Sequence, residues 1–462
     1  MRYPIKYIEN NLVFNHDGEC FVYYELLPYN YSFLSPDEKI QVHDHFRQLI
    51  AQNQDGKIHA LQISTASSIR SVQERSKELV TGRLKEVAYE RIDDQTEALV
   101  SMIGEHQVDY RFFIGFKLLL NEEEISMKSM GKSVTTSLSS FIRDVNHHLM
   151  GDFVSMPHDE IRRFFKMESL LQNKISRRFK VRPLNKNDFG YLIEHLHGQT
   201  RIAYDEYDYA LPLKKLKKET LVKRYDLIKP TRCLIEENQR YLKIEQEEQT
   251  TYVAYFTINS IVGDLEFPSD EIFYYQQQQF DFPIDTSMNV EIVTNKKALS
   301  TVRNKKKELK DLDNHAWESD NETGSNVIDA LEQVNELEDV LDQSKESMYK
   351  LSYVIRVSAS NADELKQRCN EVKDFYDDLN VKLVRPFGDM IGLHSEFIPA
   401  SKRYMNDYIQ YVTSDFLAGL GFGATQMLGE TEGIYFGYNL DTGRNVYLNP
   451  SLASQGVKGS VT

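Results

Sequence analysis

TYVAYFTINSIVGDLEFPSDEIFYYQQQQFDFPIDTSMNVEIVT, residues 251–294, and KLSYVIRVSASNADELKQRCNEVKDFYDDLNVKLVRPF, residues 350–387, carry the clearest element order in the chain. Runs rich in β-branched and aromatic residues predict strands over 251–260, 287–294, 350–359 and 381–387, and helices are expected over 269–280 and 361–379. Asn361, Asp363 and Glu364 supply cap chemistry at the start of the second helix. The order β-α-β-β-α-β predicts a ferredoxin-like unit with an insertion between its second and third strands. That insertion, 296–350, reads as an antiparallel helical hairpin broken at Asn321 to Asn326, around Gly324. Leu299, Val302 and Leu309 stripe one arm, and Val327, Leu331, Val334, Leu341 and Met348 stripe the other. Lys296, Lys297, Arg303, Lys305, Lys306, Lys307 and Lys310 make the first arm basic, whereas Asp329, Glu332, Glu336, Glu338, Asp339, Asp342 and Glu346 make the second acidic. Opposite signs favour antiparallel pairing, and a fully helical second arm would reach about 37 Å, enough to meet a neighbouring subunit.

Working outward, 5–14 and 19–27 are β-like runs joined around Asp17-Gly18, a pair suited to a tight turn. Ser35-Pro36-Asp37-Glu38 caps a helix expected to run to about Asn53. A short strand over 57–64, polar helical stretches to about 106, the strand VDYRFFIGFKLLL at 108–120 and a helix near 130–150 complete a second split β-α-β layout. Between the two layouts, 155–250 alternates helical segments with a basic stretch at Lys214, Lys215, Lys217, Lys218, Lys223 and Arg224. The expected organisation is therefore α+β: an amino-terminal domain over 1–150, a helical and basic connecting region over 151–250, a ferredoxin-like domain over 251–400 with its hairpin at 296–350, and a connector with a terminal hairpin over 401–462.

A chain of 462 residues is too long for one ordinary core, and 41% hydrophobic with 11% aromatic residues is too rich for a disordered polymer. A net charge of -15 opposes diffuse binding to nucleic acid, so any basic contact has to be local. Cys20, Cys233 and Cys369 lie too far apart for a disulfide framework or a zinc cluster, which fits a reducing compartment. The start lacks the apolar core of a signal peptide, and the most apolar stretch, Phe112 to Leu120, is interrupted by Lys117, so no transmembrane segment is expected.

The phosphate-binding pattern G-x-x-x-x-G-K-[ST] occurs nowhere in the chain. In Gly456-Val457-Lys458-Gly459-Ser460 the lysine precedes the second glycine, and Gly419-Leu420-Gly421-Phe422-Gly423-Ala424 follows NDYIQYVTSDFLA (406–418), which reads as helical, so the glycines read as a connector. The histidine pairs His43/His45, His147/His148 and His195/His197 have no complementary ligands at metal spacing and read as core or solvated side chains. No catalytic, cofactor-binding or metal-binding residue is expected. The basic run of the hairpin faces its own acidic arm, whereas the run at 214–224 has no local complement and is the candidate contact with acidic partners or anionic lipid.

KRYMNDYIQYVTSDFLAGLGFGATQMLGETEGIYFGYNLDTGRNVYLNPSLASQGVKGSVT, residues 402–462, closely resembles the segment leading into the ATPase module of conjugative-transfer (type IV secretion) ATPases of the TrbE/CagE-like family, the kind carried by integrative conjugative elements. The likeness extends more diffusely to PLKKLKKETLVKRYDLIKP at 212–230. Read from the residues, Gly433 to Asn439 and Asn445 to Asn449 are short strands turned by Asp441-Thr442-Gly443. By resemblance, Gly437, Thr442, Gly443, Arg444, Asn449 and Pro450 belong to the hairpin that precedes the P-loop ATPase module, of which this sequence would hold an incomplete piece. The resemblance implies a cytoplasmic motor, peripheral at the inner face of the membrane, that docks on membrane-embedded channel proteins, assembles as a hexamer and energises transfer of DNA or protein. ATP and magnesium are expected for the intact protein and none for this chain, which would be the docking and assembly part. The alternatives are a self-standing scaffold of the transfer apparatus and, ranked last, a DNA-binding module.

Overall fold

The computed structural model describes residues 3–51, 56–78, 80–103, 106–118, 158–198, 204, 207, 221–223, 233–246, 249–261, 267–318, 325–404, 406–426, 428–429, 433–439 and 444–448. The chain is α+β, organised on a large antiparallel sheet. Its first half starts with three short strands, β1 (Ile5–Glu9), β2 (Leu12–Asn15) and β3 (Cys20–Leu26). The run expected as one strand over 5–14 is two, because Asn10 takes a left-handed φ of 53° and turns the chain back on itself. Gly18, with φ 78°, makes the next turn as expected. After β4 (Tyr29–Asn30), α1 (Pro36–Ala51) begins at a reciprocal cap: the Ser35 amide donates to Glu38 Oε2 at 2.8 Å and the Glu38 amide donates to Ser35 Oγ at 3.4 Å. β5 (Lys57–Ser68), α2 (Ile69–Glu78), α3 (Lys85–Ile103), β6 (His106–Leu118), α4 (His158–Ile175), β7 (Val181–Pro183) and α5 (Lys186–Leu196) follow. The helix expected near 130–150 lies outside the described residues.

After β8 (Leu221–Lys223), the second half comprises β9 (Leu234–Asn238), β10 (Tyr241–Glu245), β11 (Thr250–Ile261), α6 (Ile272–Gln279), β12 (Ile284–Val293), α7 (Asn295–Glu318), α8 (Ser325–Ser344), β13 (Met348–Ala359), α9 (Ala362–Asp378), β14 (Val381–Val384) and α10 (Met390–Ser395). The Asn361 side chain caps α9 by accepting from the Glu364 amide at 2.9 Å. The expected helical hairpin is α7 and α8: Ala298 and Val302 meet Leu341 at its base, while Arg303 and Lys306 both reach Glu338 across the arms, at 2.8 and 2.7 Å. Of its expected break at Asn321 to Asn326, positions 321–324 lie outside the described residues, and Ser325 and Asn326 already belong to α8.

The halves repeat one pattern. In the first, β7, β3, β6 and β5 lie side by side in that order, with the meander β1-β2 sharing the outer edge of β3 with β7. In the second, β14, β11, β13 and β12 do the same, with β9-β10 sharing the edge of β11 with β14. Each half inserts a pair of helices between its second and third principal strands, α2-α3 in one and α7-α8 in the other. The halves fuse where β5 pairs antiparallel with β12, from Lys57 opposite Glu291 to Gln62 opposite Thr286, and the result is one sheet of fourteen strands among the described residues.

α1, α4, α6 and α9 cover one face through Phe46, Phe164, Phe273 and Tyr376, packed on Tyr24, Phe112, Met288 and Ile355. α5 and α10 cover the other through Phe189, Leu192 and Leu393, packed on Phe21, Leu61, Val253 and Val354. The chain after α10 then ties the halves together. β15 (Gln410–Val412) pairs with β13, α11 (Ser414–Gly419) packs on α1, and β16 (Ala424–Thr425) pairs with β4. This corrects the helical reading of 406–418: the open edge of β13 draws Gln410–Val412 into the sheet, and a helix begins only after the Thr413 cap. Gly421, at φ 73°, makes the expected connector tight, since a Cβ there would sit 2.8 Å from that of Glu271. β17 (Ile434–Tyr438) and β18 (Asn445–Leu448) form the expected terminal hairpin.

Candidate functional site

The most concentrated polar chemistry lies on the seam between the halves, on the face beneath α5 and α10. Alternation along β12 points Asp285, Ser287, Asn289 and Glu291 to this face while Ile284, Met288, Val290 and Ile292 enter the opposite core. Asp285 lies directly across from Arg356 of β13, and both side chains are buried. Asp285 Oδ1 accepts from the amide and hydroxyl of Ser64, at 2.7 and 2.6 Å. Its Oδ2 accepts from Arg356 Nη1 and lies 3.0 Å from His195 Nε2. Burial pushes the Asp285 carboxyl up, but His195, Arg356 and Ser64 outweigh it and hold the group well below the usual carboxylate range. Arg356 Nη2 donates to the carbonyls of His195 and Gly198, at 3.3 and 3.1 Å, so a cation of the second half sits at the negative end of α5 in the first.

A second, neutral network lies beside it. Tyr23 Oη and His59 Nδ1 are 2.8 Å apart, His59 Nε2 is 3.2 Å from Ser287 Oγ, and Ser287 donates to the Glu396 carbonyl at 2.8 Å. Because Ser287 spends its proton on that carbonyl, His59 donates from Nε2 and accepts the tyrosine proton at Nδ1. Burial pulls the pKa of His59 down to about 3, which keeps the ring neutral in this chain of donors. The Glu396 carboxylate accepts from Ser352 Oγ at 2.6 Å and from the Tyr404 amide at 3.0 Å, and the Ala400 amide donates to Tyr23 Oη at 2.7 Å. The strap 396–404 is thus fastened to both halves at once.

Where the strap leaves the sheet, a cleft of about 400 Å³ opens over Phe21, Ile58, His59 and Asn289. Its charges are cross-linked: Glu19 takes Lys57 at 2.9 Å and Lys117 at 2.7 Å, Arg403 reaches Glu291 at 3.2 Å, and Lys402 reaches Asp17 at 2.9 Å. Burial alone would raise the Glu19 carboxyl, but the two lysines hold it at about 2. Among the described residues no group of three His, Cys, Asp or Glu is disposed to hold a metal ion. Burial pushes the thiols of Cys233 and Cys369 up to about 11, away from the thiolate form that nucleophilic chemistry needs. The arrangement is suited to locking two halves and a strap in one geometry.

Of the residues singled out in the sequence, His195 lies in this site beside Asp285, and the others fall elsewhere. Gly437 lies on β17, and Arg444 precedes β18, where its guanidinium is 3.4 Å from Asp109 and stands over the Tyr110 ring. Thr442, Gly443, Asn449 and Pro450 lie outside the described residues, as do Lys214, Lys215, Lys217, Lys218 and Arg224. Lys223 is on β8, opposite Tyr7 of β1. His43 and His195 are buried, and His197, also buried, faces His394 with ring centres 5.3 Å apart. His147 and His148 lie outside the described residues. Sequence reading missed Asp285 and Arg356. The available signal was weak: Asp285 is one of two charged residues on β12 and Arg356 one of two on β13, and nothing in the letters separates them from Glu291 and Lys350.

No family model matches the chain. It is similar to the uncharacterized protein YddE of Bacillus subtilis (strain 168), at 20% identity over 491 aligned positions that take in all of this chain and 55% of YddE. The chain therefore spans about half the length of that relative. No helix among the described residues is long and apolar enough to cross a membrane.

Proposed function

We propose that this chain is the docking and assembly region of a conjugation-type type IV secretion ATPase, a motor that energises DNA or protein transfer across the cell envelope. The observation that carries the reading is the terminal hairpin. The resemblance over 402–462 expects a two-stranded lead-in to a nucleotide-binding module at this point, and β17 and β18 pair there. Tyr447, on its inner side, is buried, and Ser76 of α2 donates to the Gly433 carbonyl at 2.8 Å. On its outer side Ile434 and Phe436 remain 69% and 74% exposed, an apolar surface that a following module would cover. The likeness to a protein of greater length supports the same reading.

In this reading each half is a ferredoxin-like unit, since the strand orders β7-β3-β6-β5 and β14-β11-β13-β12 both follow the split β-α-β scheme. The intact protein would be a hexamer bound peripherally at the cytoplasmic face of the membrane through channel proteins. ATP and magnesium belong to the intact motor. The sequence contains no G-x-x-x-x-G-K-[ST] loop, so the residues present do not fit a triphosphate, and no chemical step is assigned to them.

Two measurements test the proposal. The purified chain is expected to turn over no magnesium-ATP above a mock preparation. In cells it is expected to sediment with membranes when the transfer channel is present and to stay in the supernatant when the channel genes are deleted. Sustained magnesium-dependent turnover, or identical partition in both strains, defeats the reading.

A further inference from the structure

The two ends of the large sheet are equivalent in construction and different in cover. At one end, the outer edge of β1 is closed by β8, with Tyr7 opposite Lys223, Ile8 opposite Val222 and Glu9 opposite Leu221. At the other end stands β9, the counterpart of β1, whose inner edge is on β10 and whose outer edge has no strand partner among the described residues. Both meanders turn over two residues, from Glu9 to Leu12 and from Asn238 to Tyr241. We propose that the outer edge of β9 takes up an extended basic segment of a partner polypeptide by strand addition, in the way that β1 takes up Leu221–Lys223. The inference does not depend on the function proposed above.

Main-chain geometry supplies the site. A two-residue hairpin makes Asn238 and Tyr241 a hydrogen-bonded pair, so by alternation Ile235 and Glu237 direct their amides and carbonyls away from β10. Ile8, one residue before its own turn pair, has the same outward disposition and is the residue that meets Val222. Side chains select the occupant. Leu234 is 64% exposed, and Glu236 and Glu237 are exposed beside it, Glu237 Oε1 accepting from the Ile391 amide at 3.2 Å. The neighbouring cation, Lys243, approaches Glu236 only to 4.0 Å. A second copy of β9 adding antiparallel would set these glutamates against their own counterparts, an arrangement that like charges disfavour. A strand alternating apolar and basic residues gains on both counts. The stretch that contains β8, PLKKLKKETLVKRYDLIKP at 212–230, combines apolar and basic residues without strict alternation and provides the probe.

The experiment titrates a labelled synthetic peptide of this sequence against the full chain and follows amide hydrogen exchange residue by residue. Saturable binding is expected, with exchange slowed at Ile235 and Glu237. Replacing the four lysines Lys214, Lys215, Lys217 and Lys218 in the peptide by glutamate should weaken binding by about tenfold or more. In the protein, Glu237→Pro removes an outward amide at an edge position that tolerates proline, and should weaken binding about tenfold while the circular dichroism spectrum is retained. The reversal Glu236→Lys with Glu237→Lys, which keeps every amide, should lose the basic peptide and gain the glutamate version. Absence of binding, protection confined to residues 5–9, or affinity unchanged in both variants overturns the proposal.

Discussion

Tyr23, Gly115 and His59 sit side by side across β3, β6 and β5, and Tyr255, Arg356 and Asp285 hold the same three places across β11, β13 and β12. The backbone is the same and the chemistry is not. In the first half the glycine leaves room for the Tyr23 ring, which a Cβ at position 115 would meet, and the tyrosine hydroxyl bonds a neutral histidine. In the second half an arginine fills that room and an aspartate replaces the histidine, so the tyrosine turns to His394 at 2.8 Å instead. Two residues further along, Leu61 of β5 corresponds to Ser287 of β12, each lying opposite the equivalent residue of the next strand, Phe113 and Val354. The first half thus offers α5 an apolar floor, and the second offers the strap 396–404 hydrogen bonds. A repeated scaffold can bury either a neutral network or an ion pair at one position, provided that the two neighbours of the shared tyrosine change together.

That comparison can be broken most severely at the ion pair. Arg356→Met leaves a buried carboxylate without its cation and is expected to cost about 3–5 kcal/mol in urea denaturation. Adding Asp285→Leu to the same chain should recover most of the loss. A double variant no more stable than Arg356→Met alone would show that the charges are not the reason.

A smaller effect is expected in the first half, where Gly115→Ala forces the new methyl into the Tyr23 ring. The cost should be about 1–3 kcal/mol, partly relieved by Tyr23→Leu. If Gly115→Ala is neutral, the glycine is not what distinguishes the two triplets.

The smallest expected effect depends on pH. His59 has a folded pKa of about 3 against an ordinary value of 6.5, so the unfolded chain takes up the proton first as the medium is acidified. Its contribution is fully present above about pH 6.5 and declines toward pH 3, by about 1.4 kcal/mol for each pH unit. His59→Gln should therefore gain about 1.4 kcal/mol relative to the unsubstituted chain between pH 7.5 and 5.5, measured by urea midpoints. A difference independent of pH would mean that the buried ring takes up its proton as readily as it does in the unfolded chain.

Much of the fold was legible because it is local. The caps at Ser35 and Asn361, the turn at Gly18, the oppositely charged arms paired through Glu338, and the strands of the terminal hairpin all depend on residues within a few dozen positions of one another. A split β-α-β layout was read in each half, but the residue-by-residue correspondence between them was not legible. Of the two triplets only the tyrosine is shared, and positions such as Leu61 and Ser287 differ in polarity, so no periodic signature survives in the letters. Nor was the strand at Gln410–Val412, whose helical appearance is overridden by the edge of β13 some sixty residues earlier. The residues that carried the resemblance, Gly437 and Arg444, sit on the hairpin, while the polar centre formed from residues that no motif marks.

By itself the sequence determined many of the strands and helices, the caps at Ser35 and Asn361, and that no phosphate-binding loop is spelled within it. Only the tertiary structure decided that β5 and β12 join the halves, that Asp285 and Arg356 are buried together rather than solvated, and that β8 closes one end of the sheet. The reason is one of range. Backbone periodicity and capping are set by neighbours a turn or a hairpin away, whereas a strand edge or a buried charge is satisfied by a group that can lie hundreds of residues distant, and its partner is known only once the chain has packed.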